Sequence, residues 1–227
     1  DLPVVFDAKE RAKGGLGIRH DDDYGARIGV MPRDGCSAQV KWFEIEPCYV
    51  YHTLNAYDEG DEVVVEGCRM VGYMTPGIVE PPIPVPYQWR LNRVNGEVVE
   101  RQLDDLGLDF PRVPDAMIGR QHRYGYFAQF GKTAPTVEGF HKLDMRTGQR
   151  HSHILSEGRT GSEAVFVPAE GGQHEDDGYL MSYVFDPSAG VSELVILNAA
   201  NLNDEPLARI HLPSRVPAGF HGSWIAH

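Results

Sequence analysis

Cysteine is scarce, basic side chains are outnumbered, and long apolar runs are missing. The three cysteines, Cys36, Cys48 and Cys68, have neither metal-type nor disulfide-type spacing. An odd, sparse set fits a reducing cytosol better than secretion, so the expected location is cytoplasmic. Lysine and arginine number 21 against 33 acidic residues, a formal charge of −12. No basic cluster is left to neutralise phosphates, which argues against a nucleic-acid partner. No apolar stretch approaches the roughly 18–20 residues of a membrane-spanning helix. A phosphate-binding glycine loop and a Gly-x-Ser-x-Gly elbow are both missing, and nothing in the order of residues positions a Ser-His-Asp triad. An initiator methionine is missing too: the chain opens on Asp1-Leu-Pro-Val-Val-Phe6, as expected of a piece with sequence upstream.

Helical periodicity is also nearly absent. The apolar runs are short, rich in Val, Ile, Tyr and Phe, and bounded by Gly, Pro, Asn and Asp, the pattern of an all-β chain. Strands are expected at the opening segment, Arg27–Met31, Gln39–Ile45, through His52, and at Glu62–Met70. Lys9–Gly25 reads as a long surface loop, and the last three of those strands as a meander. Met74–Pro86 holds five prolines and reads as a constrained loop. Hairpins are predicted for Tyr87–Val94 with Glu97–Leu103 across Asn95-Gly96, and for Gly139–Met145 with Gln149–Leu155. A third joins Gly178–Asp186 to Ser192–Leu197. Arg120–Phe130 reads as two strand-like pieces around Gly125, Ala164–Pro168 as a short strand and Leu207–Leu212 as a last one. The hairpins recur at about 45–50 residues, the size of a four-stranded propeller blade. A sandwich also satisfies the periodicity.

Ten histidines bear on chemistry. His52 lies in Glu46-Pro-Cys-Tyr-Val-Tyr-His52-Thr-Leu-Asn-Ala-Tyr-Asp58, an apolar, aromatic run that reads as a buried strand with Cys48, Val50, His52 and Leu54 on one face. A buried imidazole needs a partner at each ring nitrogen, either a hydrogen bond or a metal. His221 lies in Pro217-Ala-Gly-Phe-His221-Gly-Ser-Trp224. Gly219 and Gly222 permit close approach and unusual φ values, and Trp224 is expected to anchor the segment. His151 and His153 share one strand face at a spacing that metal sites use, but they follow Gln149-Arg150 in a polar hairpin arm, where exposed strands often carry such pairs. His122 reads as structural. His20, His141, His174 and His211 read as loop or surface residues. Asp109 and Glu163 are acidic residues embedded beside apolar ones. Each reads either as a turn cap or strand end, or as a carboxylate that accepts the free N–H of a metal-bound imidazole.

Several segments then match one family in order: His52, Phe110-Pro-Arg112, Arg123-Tyr-Gly-Tyr126, Glu163-Ala-Val-Phe-Val-Pro168, Glu175–Asp186 and Gly219-Phe-His-Gly-Ser-Trp224. Over nearly the whole chain this set resembles the carotenoid cleavage oxygenases, which include bacterial lignostilbene dioxygenases. The resemblance implies a seven-bladed β-propeller with a non-haem Fe(II) held by four histidines. It makes the chain residues 1–227 of a partial propeller domain, the C-terminal three to four blades, with the N-terminal half and two ligands upstream. His52 matches the third metal ligand and His221 the fourth. Glu163 matches a carboxylate that orients a ligand. Asp109 stands where the family has glutamate, one methylene longer. The implied reaction joins O2 to an extended conjugated apolar substrate, a carotenoid, apocarotenoid or stilbene, and cleaves a C=C bond to two carbonyl products. No acid or base beyond the metal ligands is needed to begin it. The resemblance also allows peripheral membrane contact, since family members with lipid-soluble substrates use an apolar surface patch, although no such patch is evident in this sequence. The rival readings are a non-catalytic propeller that binds an apolar ligand or partner, and an iron-dependent isomerase on the same fold.

Overall fold

The computed structural model describes residues 1–73, 82–131, 136–217 and 219–226. The chain divides into two compact units, residues 1–105 and 106–227. Both are built almost wholly from antiparallel strands. Among the described residues no helix is long and apolar enough to cross a membrane.

In the first unit, β1 (Val4–Phe6) pairs with β2 (Ile18–His20), and β3 (Ala26–Val30) with β4 (Lys41–Ile45). The stretch expected to be a plain loop thus holds β2 and a five-residue helix, α1 (Ala8–Ala12). Asp7 makes the helix viable by accepting the backbone N–H groups of Lys9 and Glu10 at 2.7 and 3.2 Å. β5 (Tyr49–Glu59), β6 (Glu62–Met70), β7 (Val85–Asn92) and β8 (Val98–Gln102) form a four-stranded meander in that order. β4 pairs with β3 rather than β5, so the expected meander begins one strand later. The expected loop at Met74–Pro86 falls partly outside the described residues, at 74–81. Its end, Val85-Pro86, already belongs to β7, where Pro86 lacks a donor but its carbonyl accepts Leu103 N at 2.8 Å. The core of this unit gathers Phe43, Ile45, Cys48, Tyr87, Trp89 and Leu91. Each fully buried large side chain contributes about 1.5–3 kcal/mol.

In the second unit, strands β9 (Leu108–Arg112), β10 (Tyr124–Phe130), β11 (Val137–Asp144), β12 (Arg150–Ile154), β13 (Thr160–Gly161), β14 (Val165–Pro168), β15 (Gly178–Asp186), β16 (Val191–Asn198) and β17 (Ala208–His211) join in one sheet. The spine runs β17-β16-β15-β13-β11-β10-β9, with β12 added to β11 and β14 to β15. The three predicted hairpins are all present. Gly125 does not divide β10, which is one strand, and it is buried inside it. His141, read from the sequence as a surface residue, is only 2 % exposed. Its ring nitrogens meet Ser152 Oγ and Gln129 Oε1, each at 2.8 Å, from the two neighbouring strands. Cross-strand partners on both sides make burial of that imidazole affordable.

One buried acid makes a testable statement about unit 1. Glu66 sits in β6 with no exposed surface, and Gln88 Nε2 donates to its Oε1 at 2.7 Å. Burial outweighs that bond and pushes the carboxyl from 4.5 up to about 7. The folded state therefore holds a proton that the unfolded chain releases earlier. The stability tied to it is fully present below the unfolded value and is lost as pH rises through about 7. Glu66→Gln should match the parent near pH 4.5 and exceed it by about 3 kcal/mol above neutrality. Urea unfolding at the two pH values checks this, and an equal gap at both would refute it.

Candidate metal centre

His52 stands on β5 where the pairing with β6 slips. Val50 faces Arg69 and Thr53 faces Gly67, so Tyr51 and His52 together oppose Cys68 alone. That is a β-bulge, which kinks a strand and re-aims side chains. A second slip at Leu54 follows. In consequence the predicted alternation breaks: Leu54 and Asn55 are both buried, and Tyr57 is the next residue inside. His52 is half-buried rather than sunk in the core, and its ring lies 6.1 Å from that of Tyr51. Tyr51 in turn packs with Tyr49 and Tyr73, at 4.9 and 5.3 Å between ring centres, and the hydroxyls of Tyr51 and Tyr73 are hydrogen-bonded. Gly67 lets the bulged backbone approach, because a Cβ there would lie 3.0 Å from the His52 carbonyl oxygen.

His221 belongs to the second unit, on a C-terminal strap (212–226) whose described residues form neither helix nor strand. Its Nδ1 lies 3.3 Å from Glu163 Oε2. The same oxygen accepts Gly222 N at 2.8 Å and Arg112 Nη2 at 3.0 Å, while Oε1 accepts Arg112 Nε at 2.9 Å. Arg112 Nη2 also donates to Gly222 O at 2.5 Å. Glu163 lies between β13 and β14 with its side chain 5 % exposed. The second unit thus brings Glu163 and His221 together. Gly222 is not in the left-handed region. Its would-be Cβ lies 3.5 Å from Val165, an ordinary van der Waals distance, so the close approach expected at Gly222 is not found there either. Phe220 is largely exposed and Trp224 about half-exposed, and both line a cleft of about 360 Å³ with Val165, Met181, Val216 and His221.

Asp109 is buried on β9 and acts first on its own chain: its Oδ1 accepts Phe110 N at 2.9 Å. Phe110 has φ +49°, the one non-glycine residue with positive φ among those described. It lies at a slip between β9 and β10, where Arg112 faces Tyr126 and Asp109 faces Ala128. Strain of this kind costs on the order of 1–3 kcal/mol and persists only where neighbours over-determine it. Here the ring is held edge-on against Phe130 at 5.0 Å and His221 at 5.4 Å. Asp109 thus holds the backbone of the residue whose ring abuts His221.

Among the other described histidines, His211 also meets a buried carboxylate, its Nδ1 lying 3.3 Å from Glu193 Oε1, but its own side chain is 75 % exposed. His151 Nδ1 is fixed by Asn201 and Asn203 at 3.2 and 3.3 Å, and burial lowers the pKa of His153. His122 is buried, which brings its pKa down to about 4. Among the described residues no group of three or more His, Cys, Asp or Glu side chains converges as a metal site. Sequence reasoning assigned no role to Arg112, Gly67 or Tyr51. Arg112 was visible only as part of a matching segment.

Antiparallel sheets throughout and a histidine set against a buried carboxylate mark an all-β protein. The family described as retinal pigment epithelial membrane protein matches residues 1–226. The chain belongs to that family, among relatives that are carotenoid cleavage oxygenases. A carotenoid 9,10(9',10')-cleavage dioxygenase of Crocus sativus is 36% identical over 99% of this chain and 45% of its own length. The crystal structure of Pseudomonas brassicacearum lignostilbene dioxygenase superposes with a TM-score of 0.88 at 26% identity, covering 100% of this chain and 52% of that one. Cobalt-substituted Synechocystis ACO gives 0.87 at 23% identity over 99% of this chain and 50% of its own, a likeness of fold. The chain spans about half the length of the relatives it matches. Its fold is accordingly a portion of their β-propeller.

Proposed function

We propose that the chain is part of a non-haem Fe(II)-dependent dioxygenase that cleaves a C=C bond of a carotenoid, apocarotenoid or stilbene with O2, giving two carbonyl products. The observation that carries this reading is the Glu163–His221 arrangement. A carboxylate that accepts from Nδ1 holds the proton on that nitrogen and presents the Nε2 lone pair, the form a metal requires. By the family resemblance His52 would be a further imidazole ligand, with the remaining two in the part of the relatives' length that this chain does not span. Neutral imidazoles suit Fe(II) and leave its charge largely uncompensated. Bound iron would supply the activation of O2.

The chain's own residues hold and orient. Glu163 fixes the His221 tautomer, and the edge of Phe110 fixes the tilt of its ring. Val165, Met181 and Phe220 give the cleft beside His221 apolar walls, which favour an extended hydrocarbon over water. The test uses the full-length protein, with metal analysis, O2 uptake and carbonyl products measured on a panel of the three substrate classes. His52→Ala and His221→Ala should each reduce bound iron and turnover to below roughly one-tenth. Full iron and full turnover in both variants would refute the site. Residues 1–227 alone carry at most two of the four implied ligands and are expected to be inactive. Stoichiometric iron in that piece would count against the division of ligands between halves.

A further inference from the structure

We propose that Arg112 is a positioning residue that sets His221 by clamping the C-terminal strap; this rests on the iron-site reading above. Three donors converge on Glu163 Oε2, and the imidazole contact, at 3.3 Å, is the longest of them. The carboxylate therefore does not owe its orientation to the histidine it serves. The planar guanidinium engages both carboxylate oxygens, the forked geometry that fixes a carboxylate in one plane. The same guanidinium nitrogen reaches Gly222 O at 2.5 Å while Glu163 takes Gly222 N. Both polar groups of the residue next to His221 are thus tied to one ion pair, on a strap otherwise anchored nearer its start, where Leu212 N and Val216 N reach Ser192. Arg112 stands two residues beyond Phe110, whose ring abuts the imidazole. One short strand therefore controls both the carboxylate and the aromatic wall of the site.

A lysine at 112 keeps the charge but has neither the fork nor the reach to two acceptors, so Lys and Met variants separate charge from geometry. The full-length protein is compared with Arg112→Lys, Arg112→Met and a control, Val195→Ala, which loosens the buried core of the same unit. Hydrogen exchange of the 219–226 peptide should accelerate at least about tenfold in both Arg112 variants and stay near the parent rate in the control. Iron affinity, by chelator competition, should fall about 10–100-fold with Met and by less with Lys. In cobalt-loaded protein the visible ligand-field bands should shift in both Arg112 variants and not in the control. Strap exchange within twofold of the parent in Arg112→Met would overturn the proposal, as would bands unchanged in both variants. If instead the parent itself bound no iron, the site reading would fail, while accelerated exchange would still uphold the clamp.

Discussion

Glu163→Ala should destabilise the second unit by about 3 kcal/mol, the low end of the range for removing one partner of a buried ion pair. The carboxylate is the single acceptor shared by Arg112, Gly222 N and the His221 imidazole. Without it the guanidinium faces Gly222 O alone. That guanidinium is 29 % exposed and recovers some water, which keeps the cost from the upper end. Glu163→Gln has nearly the same volume, yet it turns an NH2 toward at least one of the four donor nitrogens that had met an oxygen. It should recover at most half of the loss. Both variants also leave Nδ1 of His221 without its charged acceptor, so iron affinity should drop about 10–100-fold. Urea midpoints and chelator competition on the full-length protein read the two effects separately. A stability change under about 0.5 kcal/mol for Glu163→Ala would mean that the four contacts do not form.

The contrast between Glu163 and Arg112 shows what the sequence could carry. Local chemistry was legible: Asn95-Gly96 and the Pro187–Gly190 turn each place a glycine at positive φ, and the hairpins follow. His221 could be singled out from its glycine-flanked frame, whereas Glu163 kept an ordinary reading from the residues alone and gained a role only because ordered segments resemble a family. Arg112 joins Glu163 across 51 positions and Gly222 across 110, and no local pattern reports such a pairing. Position 52 illustrates a second limit. Alternation assumes an unbroken pleat, whereas the bulge exists only in the register of β5 against β6, so a single strand could not reveal it. His141 shows a third: its partners Gln129 and Ser152 lie on the flanking strands, and their hydrogen bonds turn a nominal surface histidine into a buried one.

The bulge leads to the last prediction, at Gly67. This glycine has no positive φ to explain it; its reason is the His52–Thr53 backbone passing directly over it. A Cβ would stand 3.0 Å from the His52 carbonyl oxygen and 3.3 Å from Thr53 Cα, both backbone atoms. Neither can rotate away, so alanine forces a shift of a few tenths of an ångström and valine, with two further methyl groups, a larger one. Overpacking of this kind costs about 1–3 kcal/mol. The functional cost should be greater, because the displaced residue is the proposed ligand itself. A misplacement near 1 Å lowers turnover on the order of 100-fold. Gly67→Val should therefore reduce turnover about 100-fold in the full-length protein while lowering stability only modestly, and Gly67→Ala should fall between. The ratio is the informative quantity: a clash felt only by the sheet would lower stability and leave turnover per folded molecule unchanged. That outcome would separate the bulge at Tyr51-His52 from the chemistry and make it a feature of the fold alone.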